Sequence, residues 1–160
     1  MEQTPLSLLH ETMLREMPIT QAMGISAAAW DGRRLAVEMP LAANRNHQDS
    51  AFAGSLSALC TITGWGKVFL MLRARGLDGN IVIRRSQIRY LRPVRDATIR
   101  AASLPVAGDA AAYFFELLLN KGKSKVDVSV EIADADGPYV KFTGSYVVQE
   151  VTEVGGGGGD

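Results

Sequence analysis

The stretch NRNHQDSAFAGSLSALCTITGWGKVF, Asn44 to Phe69, decides the fold. It sets Asn46, His47 and Asp49 within four positions, then runs sixteen residues, Ala51 to Gly66, without a charge. A surface helix keeps a polar face, so a helix that is apolar nearly all round is a buried one. Its length approaches that of a membrane span, but Lys67 interrupts it and its Gly, Ser and Thr residues weaken insertion. The expectation is a long core helix with a polar cluster at its mouth.

Outward from that helix the chain alternates simple elements. Thr4 to Arg15 reads as an amphipathic helix with Leu6, Leu9, Met13 and Met17 near one face, until Pro18 interrupts it. ISAAAW and RLAVEM, joined by the DGR turn, form a hairpin candidate. Gly76 to Gly79 closes the core helix, and a long strand follows from Asn80 to Val94. Ile81 and Ile83 share one parity and Ile88 and Tyr90 the other, which predicts a bulge or bend near Arg85 and Ser86. ATIRAASL is the next strand, Asp109 is placed as the cap of a helix over AAAYFFELLLN, and Gly122 ends it. Val126, Val128, Val130 and Ile132, then Val140, Phe142, Gly144, Tyr146 and Val148, alternate around an ADADGP turn as a hairpin with one buried face. A single domain over 1–150 is expected, followed by a disordered Gly-rich tail over 151–160. The class is α+β: an antiparallel sheet whose apolar face wraps one long helix.

The totals exclude several functions. Seventeen basic residues balance seventeen acidic ones, so no net field favours nucleic acid or an anionic membrane. The single cysteine, Cys60, lies in the apolar run and reads as a small buried hydrophobe. No basic-then-apolar leader opens the chain, which makes the cytoplasm the expected compartment. No phosphate loop, nucleotide fingerprint or zinc spacing occurs, so no metal or cofactor is expected.

FAGSLSALCTITGWG followed by IVIRRSQIRYLRPV resembles the thioesterase-type domain at the C-terminus of the bacterial YiiD proteins, where it is fused to an acetyltransferase. Phe52, Gly54, Ser55, Gly64, Trp65 and Gly66 of the helix and Ile88 to Val94 of the strand carry the likeness, which spans roughly Pro18 to Gln149. The resemblance implies a hotdog fold, a homodimer or dimer of dimers, and hydrolysis of an acyl thioester of coenzyme A or acyl-carrier protein. A non-catalytic acyl-CoA binding module is the alternative. A hotdog dehydratase ranks lower, because it would want an acidic residue on the central helix and none occurs between Asp49 and Asp78.

Thioester hydrolysis needs donors for an oxyanion, a group that orients or deprotonates water, and an acyl slot. The N–H groups of Ala53, Gly54 and Ser55, in the first turn of the helix, are candidate oxyanion donors. Asn46, His47 and Asp49 precede that turn and are candidates to hold or activate water; Asn46 or Asp49 as a simple helix cap, and His47 as a solvated loop residue, are the competing readings. Against the phenylacetate-pathway type of hotdog thioesterase, N-x-x-G-x-x-H-G-G followed by a helix Asp, Asn46 matches the Asn and Gly54 the last Gly. Phe52 stands in the place of the His and is a candidate substrate contact, and Thr61 stands in the place of the Asp. Thr61, like Ser55, Ser57 and Thr63, equally suits a bond back to a helix carbonyl. Arg89 and Arg92 on the bent strand, and Lys121, Lys123 and Lys125 in NKGKSK, are candidates for the coenzyme A phosphates, against a plain solvated basic turn.

Overall fold

A computed structural model describes residues 2–155 of the chain. Ten elements follow in order: α1 (Pro5–Glu16), α2 (Ile19–Met23), β1 (Ser26–Trp30), β2 (Leu35–Pro40), α3 (Ala53–Arg73), β3 (Leu77–Tyr90), β4 (Thr98–Ser103), α4 (Gly108–Lys121), β5 (Lys123–Asp134) and β6 (Gly137–Glu153). The six strands form one antiparallel sheet in the order β1-β2-β4-β5-β6-β3.

The sheet wraps α3, which packs against β2, β3, β4, β5, β6 and α1. Burial on so many sides explains why the helix carries no charge before Lys67. Among the described residues it is the one helix long and apolar enough to cross a membrane, and it is mostly buried inside the fold. The glycines of its GWG segment are contact points. A Cβ at Gly64 would lie 2.2 Å from the Tyr146 hydroxyl, and one at Gly66 would lie 2.8 Å from a Leu35 methyl. Only hydrogen at these positions lets β6 and β2 come this close to the helix.

Alternation sets the sheet faces as expected. Along β5, Val126, Val128, Val130 and Ile132 are buried while Lys123, Lys125 and Asp127 are exposed. The phase change in β3 is a register shift between Ile83 and Arg85, with a second between Asp78 and Asn80.

Several local expectations are corrected. β3 starts at Leu77 and ends at Tyr90 rather than running from Asn80 to Val94. Pro18 does not merely stop the first helix: it is the N-cap of the five-residue α2, which Gly24 ends at φ 70°. Asp109 lies inside the first turn of α4, where Ala107 is the N-cap and offers no side-chain bond. β6 runs to Glu153, so the strand takes in three residues assigned to the tail, and 156–160 lie outside the described residues.

Candidate active site

Helix α3 opens without a side-chain cap. Its N-cap is Phe52, in extended backbone geometry, because Phe52 N–H is drawn to the carbonyl of Asn44 at 2.7 Å and its own carbonyl accepts from Leu56 N–H at 3.0 Å. Among the described residues no acceptor meets the N–H groups of Ala53, Gly54 or Ser55. These orphan donors sit at the positive end of a 21-residue helix. Ala53 and Gly54 are exposed and Ser55 is half-buried.

The capping alternative for Asn46 and Asp49 is thereby excluded, for a local reason. The residues from Asn44 to Phe52 form a closed loop, bridged at Arg45 and Ala51. Asn46 Oδ1 accepts from the N–H groups of Gln48 at 2.9 Å and Ser50 at 3.2 Å, and its Nδ2 donates to Ser50 Oγ at 2.9 Å. Its side chain is spent on the loop itself. Asp49, at φ 58°, is exposed and pairs with Arg45 at 3.1 Å. His47 is exposed. The other histidine, His10, accepts the N–H of Ala27 through Nδ1 at 3.2 Å, so it ties β1 to α1.

Two polar residues of this region are buried, Ser50 and Asn44, and the sequence reading did not single out Asn44. Its Nδ2 donates to the carbonyls of Met23 and Pro40, both at 2.8 Å. With its carbonyl holding Phe52 N–H, it fixes the start of α3 against α2 and the end of β2.

A cleft of ≈ 670 Å³ runs along one face of α3, between that face, the α1–α2 corner and the start of β3. Gly54, Ser57, Ala58, Thr61, Ile62 and Trp65 form its helical wall, at the three- and four-residue spacing of a single helix face. Met17, Ile19, Met23, Ile25, Ile81 and Ile83 make the opposite walls apolar. Gly54 therefore lies both in the uncapped first turn and on the cleft. Among the described residues Glu16 is the one carboxylate on the cleft wall; it is exposed and within 3.1 Å of Arg15. Thr61 Oγ1 bonds back to the Ser57 carbonyl at 2.8 Å, and Thr63 to that of Leu59 at 2.7 Å. Tyr146 lies on the cleft wall and donates to the Thr61 carbonyl at 2.7 Å; burial pushes its pKa up, which keeps it a neutral donor. Cys60 is fully buried, its thiol pushed up to about 12 by desolvation, and it is no nucleophile near neutral pH.

The remaining predicted residues lie apart from the cleft or at its mouth. Phe52 is 55 % exposed, and its ring covers Gly54 so closely that a Cβ there would come within 2.5 Å of it. Arg92 is occupied: it donates to Asp134 at 2.7 Å and the Gly137 carbonyl at 2.6 Å, over the Tyr139 ring at 4.1 Å. It clamps the β5–β6 turn, which leaves little of it for a phosphate. Arg89 is exposed beside Lys141 in the β3–β6 register. Lys121, Lys123 and Lys125 are exposed and none lines the cleft. Lys123 pairs with Gln149, which pairs with Asn80 at the cleft edge, so two strand spacings, about 10 Å, separate that lysine from the cleft. Among the described residues no group of three or more His, Cys, Asp or Glu stands together as metal ligands.

The sequence carried one unread signal of this cleft. Gly54, Ser57, Ala58 and Thr61 are small residues on one helical stripe, and small residues along a core helix leave room that the sheet does not fill.

Comparison with known proteins agrees with this architecture. The family described as "Putative thioesterase (yiiD_Cterm)" matches residues 6–150. A solved protein of unknown function from Chlorobaculum tepidum superposes with a TM-score of 0.85 at 28% identity, over 92% of this chain and 97% of that one. A structure described as a putative thioesterase from Shewanella oneidensis gives 0.80 at 30% identity, over 91% and 97%. The PaaI protein of the Escherichia coli phenylacetic acid degradation operon shares the hotdog fold, with a TM-score of 0.63 at 17% identity over 95% and 98%.

Proposed function

From the premise that the chain belongs to the YiiD C-terminal family of thioesterase-type hotdog domains, we infer that it hydrolyses an acyl thioester of coenzyme A or an acyl-carrier protein. One observation carries the reading: Gly54, in the uncapped first turn of α3, lines the same cleft whose opposite side is largely apolar. The acyl chain lies in the cleft, and the thioester oxygen meets the first-turn N–H groups of α3. There the helix dipole and unpaired donors favour the negative charge that develops on attack.

Glu16 is assigned the proton, because it is the carboxylate on the cleft wall, whereas Asp49 and His47 face solvent from a separate loop. A water oxygen adds to the carbonyl carbon as its proton passes to Glu16. The tetrahedral intermediate collapses with cleavage of the C–S bond, and the departing thiolate takes the proton back. Ser57 and Thr61 flank the path and orient the water. Lys121, Lys123, Lys125 and Arg89 are left for the anionic carrier. No metal takes part.

The chain works as a cytoplasmic homodimer in this reading. β3 is an edge strand with Val82 43 % and Ile83 36 % exposed, an open edge that a second copy closes. The test is thiol release from a panel of acyl-CoA esters differing in chain length. Saturable release supports hydrolysis. Retention on a coenzyme A matrix without release of thiol from any ester establishes the acyl-CoA binding module instead.

A further inference from the structure

A second pocket, of ≈ 210 Å³, lies among the β1–β2 turn, the C-terminal half of α3 and α4, and it shares no wall residue with the acyl cleft. Its volume corresponds to about seven waters. Lys67, the residue that breaks the uncharged run of α3, ends here. It is only 4 % exposed, its Nζ donates to the Arg33 carbonyl, and it sits 5.2 Å from the Trp30 ring centroid. An ammonium has three N–H donors, and among the described residues no carboxylate pairs with this one.

Arg33 and Arg75 line the same pocket and likewise have no acidic partner among the described residues. Arg75 is stacked on Phe115 at 4.1 Å. The nearby acid, Asp31, is engaged by the N–H groups of Arg33 at 2.8 Å and Arg34 at 2.6 Å. Burying an ammonium is costly, and desolvation lowers the Lys67 pKa, while the charge of Asp31, which makes no salt bridge with it, works in the opposite direction. Three cations thus converge on one pocket whose remaining walls, Trp30, Met71 and Phe115, are apolar.

We propose that this pocket binds a small organic carboxylate, with the anionic head on Lys67, Arg33 and Arg75 and the hydrocarbon part against Trp30, Met71 and Phe115. The geometry matches a head that takes the two free ammonium donors and a compact tail. A bare oxyanion such as phosphate would meet the cations but leave the apolar walls wet. The site is independent of thioester hydrolysis and of the residues assigned to it.

Calorimetric titration of the intact protein with benzoate, butyrate and inorganic phosphate tests the proposal. Benzoate is expected to bind saturably and raise Tm with concentration, with phosphate at least about tenfold weaker, the equivalent of about 1.4 kcal/mol. Lys67→Met is expected to abolish the titration while thiol release persists. If Lys67→Met does not fold, Arg33→Gln with Arg75→Gln, both at exposed residues, is expected to weaken benzoate at least about tenfold. Ala58→Leu, which fills the acyl cleft, is expected to leave benzoate binding unchanged. The proposal is overturned if neither carboxylate binds at about 10 mM, if phosphate binds as tightly as benzoate, if the pocket variants bind as wild type does, or if Ala58→Leu removes binding.

Discussion

The Tyr146 hydroxyl donates to the main-chain carbonyl of Thr61 at 2.7 Å, and it reaches the helix because residue 64 has no side chain. A Cβ at Gly64 would lie 2.2 Å from that oxygen and 2.6 Å from the ring carbon bearing it. Tyr146 is fully buried, so neither partner can swing into solvent. Gly64→Ala is expected to cost about 1–3 kcal/mol as overpacking, and Tyr146→Phe only about 0.5–1.5 kcal/mol as a lost hydrogen bond. Urea midpoints at constant m-value measure both. A wild-type midpoint for Gly64→Ala would mean that β6 and α3 move apart without cost.

Much of the fold was legible because burial imposes a period. The β5–β6 hairpin and the bulge in β3 follow from which parity is apolar, and α3 from its lack of any polar face. The site was less legible, since a polar residue's partner is fixed by loop geometry and not by spacing. Asn46, six residues before the N-cap, has the composition of a cap or a water ligand, yet its side-chain oxygen accepts from the N–H groups of its own loop. Glu16 and Gly54 are thirty-eight positions apart in sequence, and only the packing of α1 beside α3 brings them to one cleft. Helix α2, five residues long, is too short to show a period at all.

The two carboxylates near the chemistry should separate by mutation. Glu16→Gln is expected to lower kcat by about 10²–10⁴ with little change in stability, the range for losing a general base. Asp49→Asn is expected to leave kcat nearly intact, because Asp49 faces solvent and Asn tolerates its positive φ. Steady-state kinetics on the pair decides the assignment. The reverse pattern would move the base to the Asn44–Phe52 loop.

Acid should loosen the β5–β6 turn. The Arg92 guanidinium, which donates to Asp134 at 2.7 Å, holds the Asp134 carboxyl well below the usual carboxylate range. A depressed folded-state pKa gives stability that is fully present above the unfolded value, about 4, and is lost as pH falls below it toward the folded value. Asp134→Asn should therefore lower the denaturant midpoint at neutral pH and flatten the fall in midpoint below about pH 4. An unchanged acid limb in the variant would assign that limb to other carboxylates.

The acyl slot makes the sharpest demand on the reading of the cleft. Ala58 lies midway along its helical wall, one turn beyond Gly54 and three residues before Thr61, and it is half-buried. Leucine there keeps the helix, since its propensity is close to that of alanine, but projects three further carbons into the channel. In the proposed reaction the carbonyl sits at the Gly54 end, so a two-carbon acyl group would stop short of the obstruction whereas a long chain would have to pass it. Ala58→Leu is expected to reduce kcat/KM for long-chain esters by about 10–200-fold, the effect of a methylene or so of misfit in an apolar pocket, and to spare acetyl esters. Stability should be nearly unchanged, so a loss of long-chain turnover cannot be ascribed to unfolding. Measuring kcat/KM across the chain-length series separates the cases. A uniform fall would point to a disturbed catalytic end, and no fall at any length would show that the acyl chain does not use this cleft.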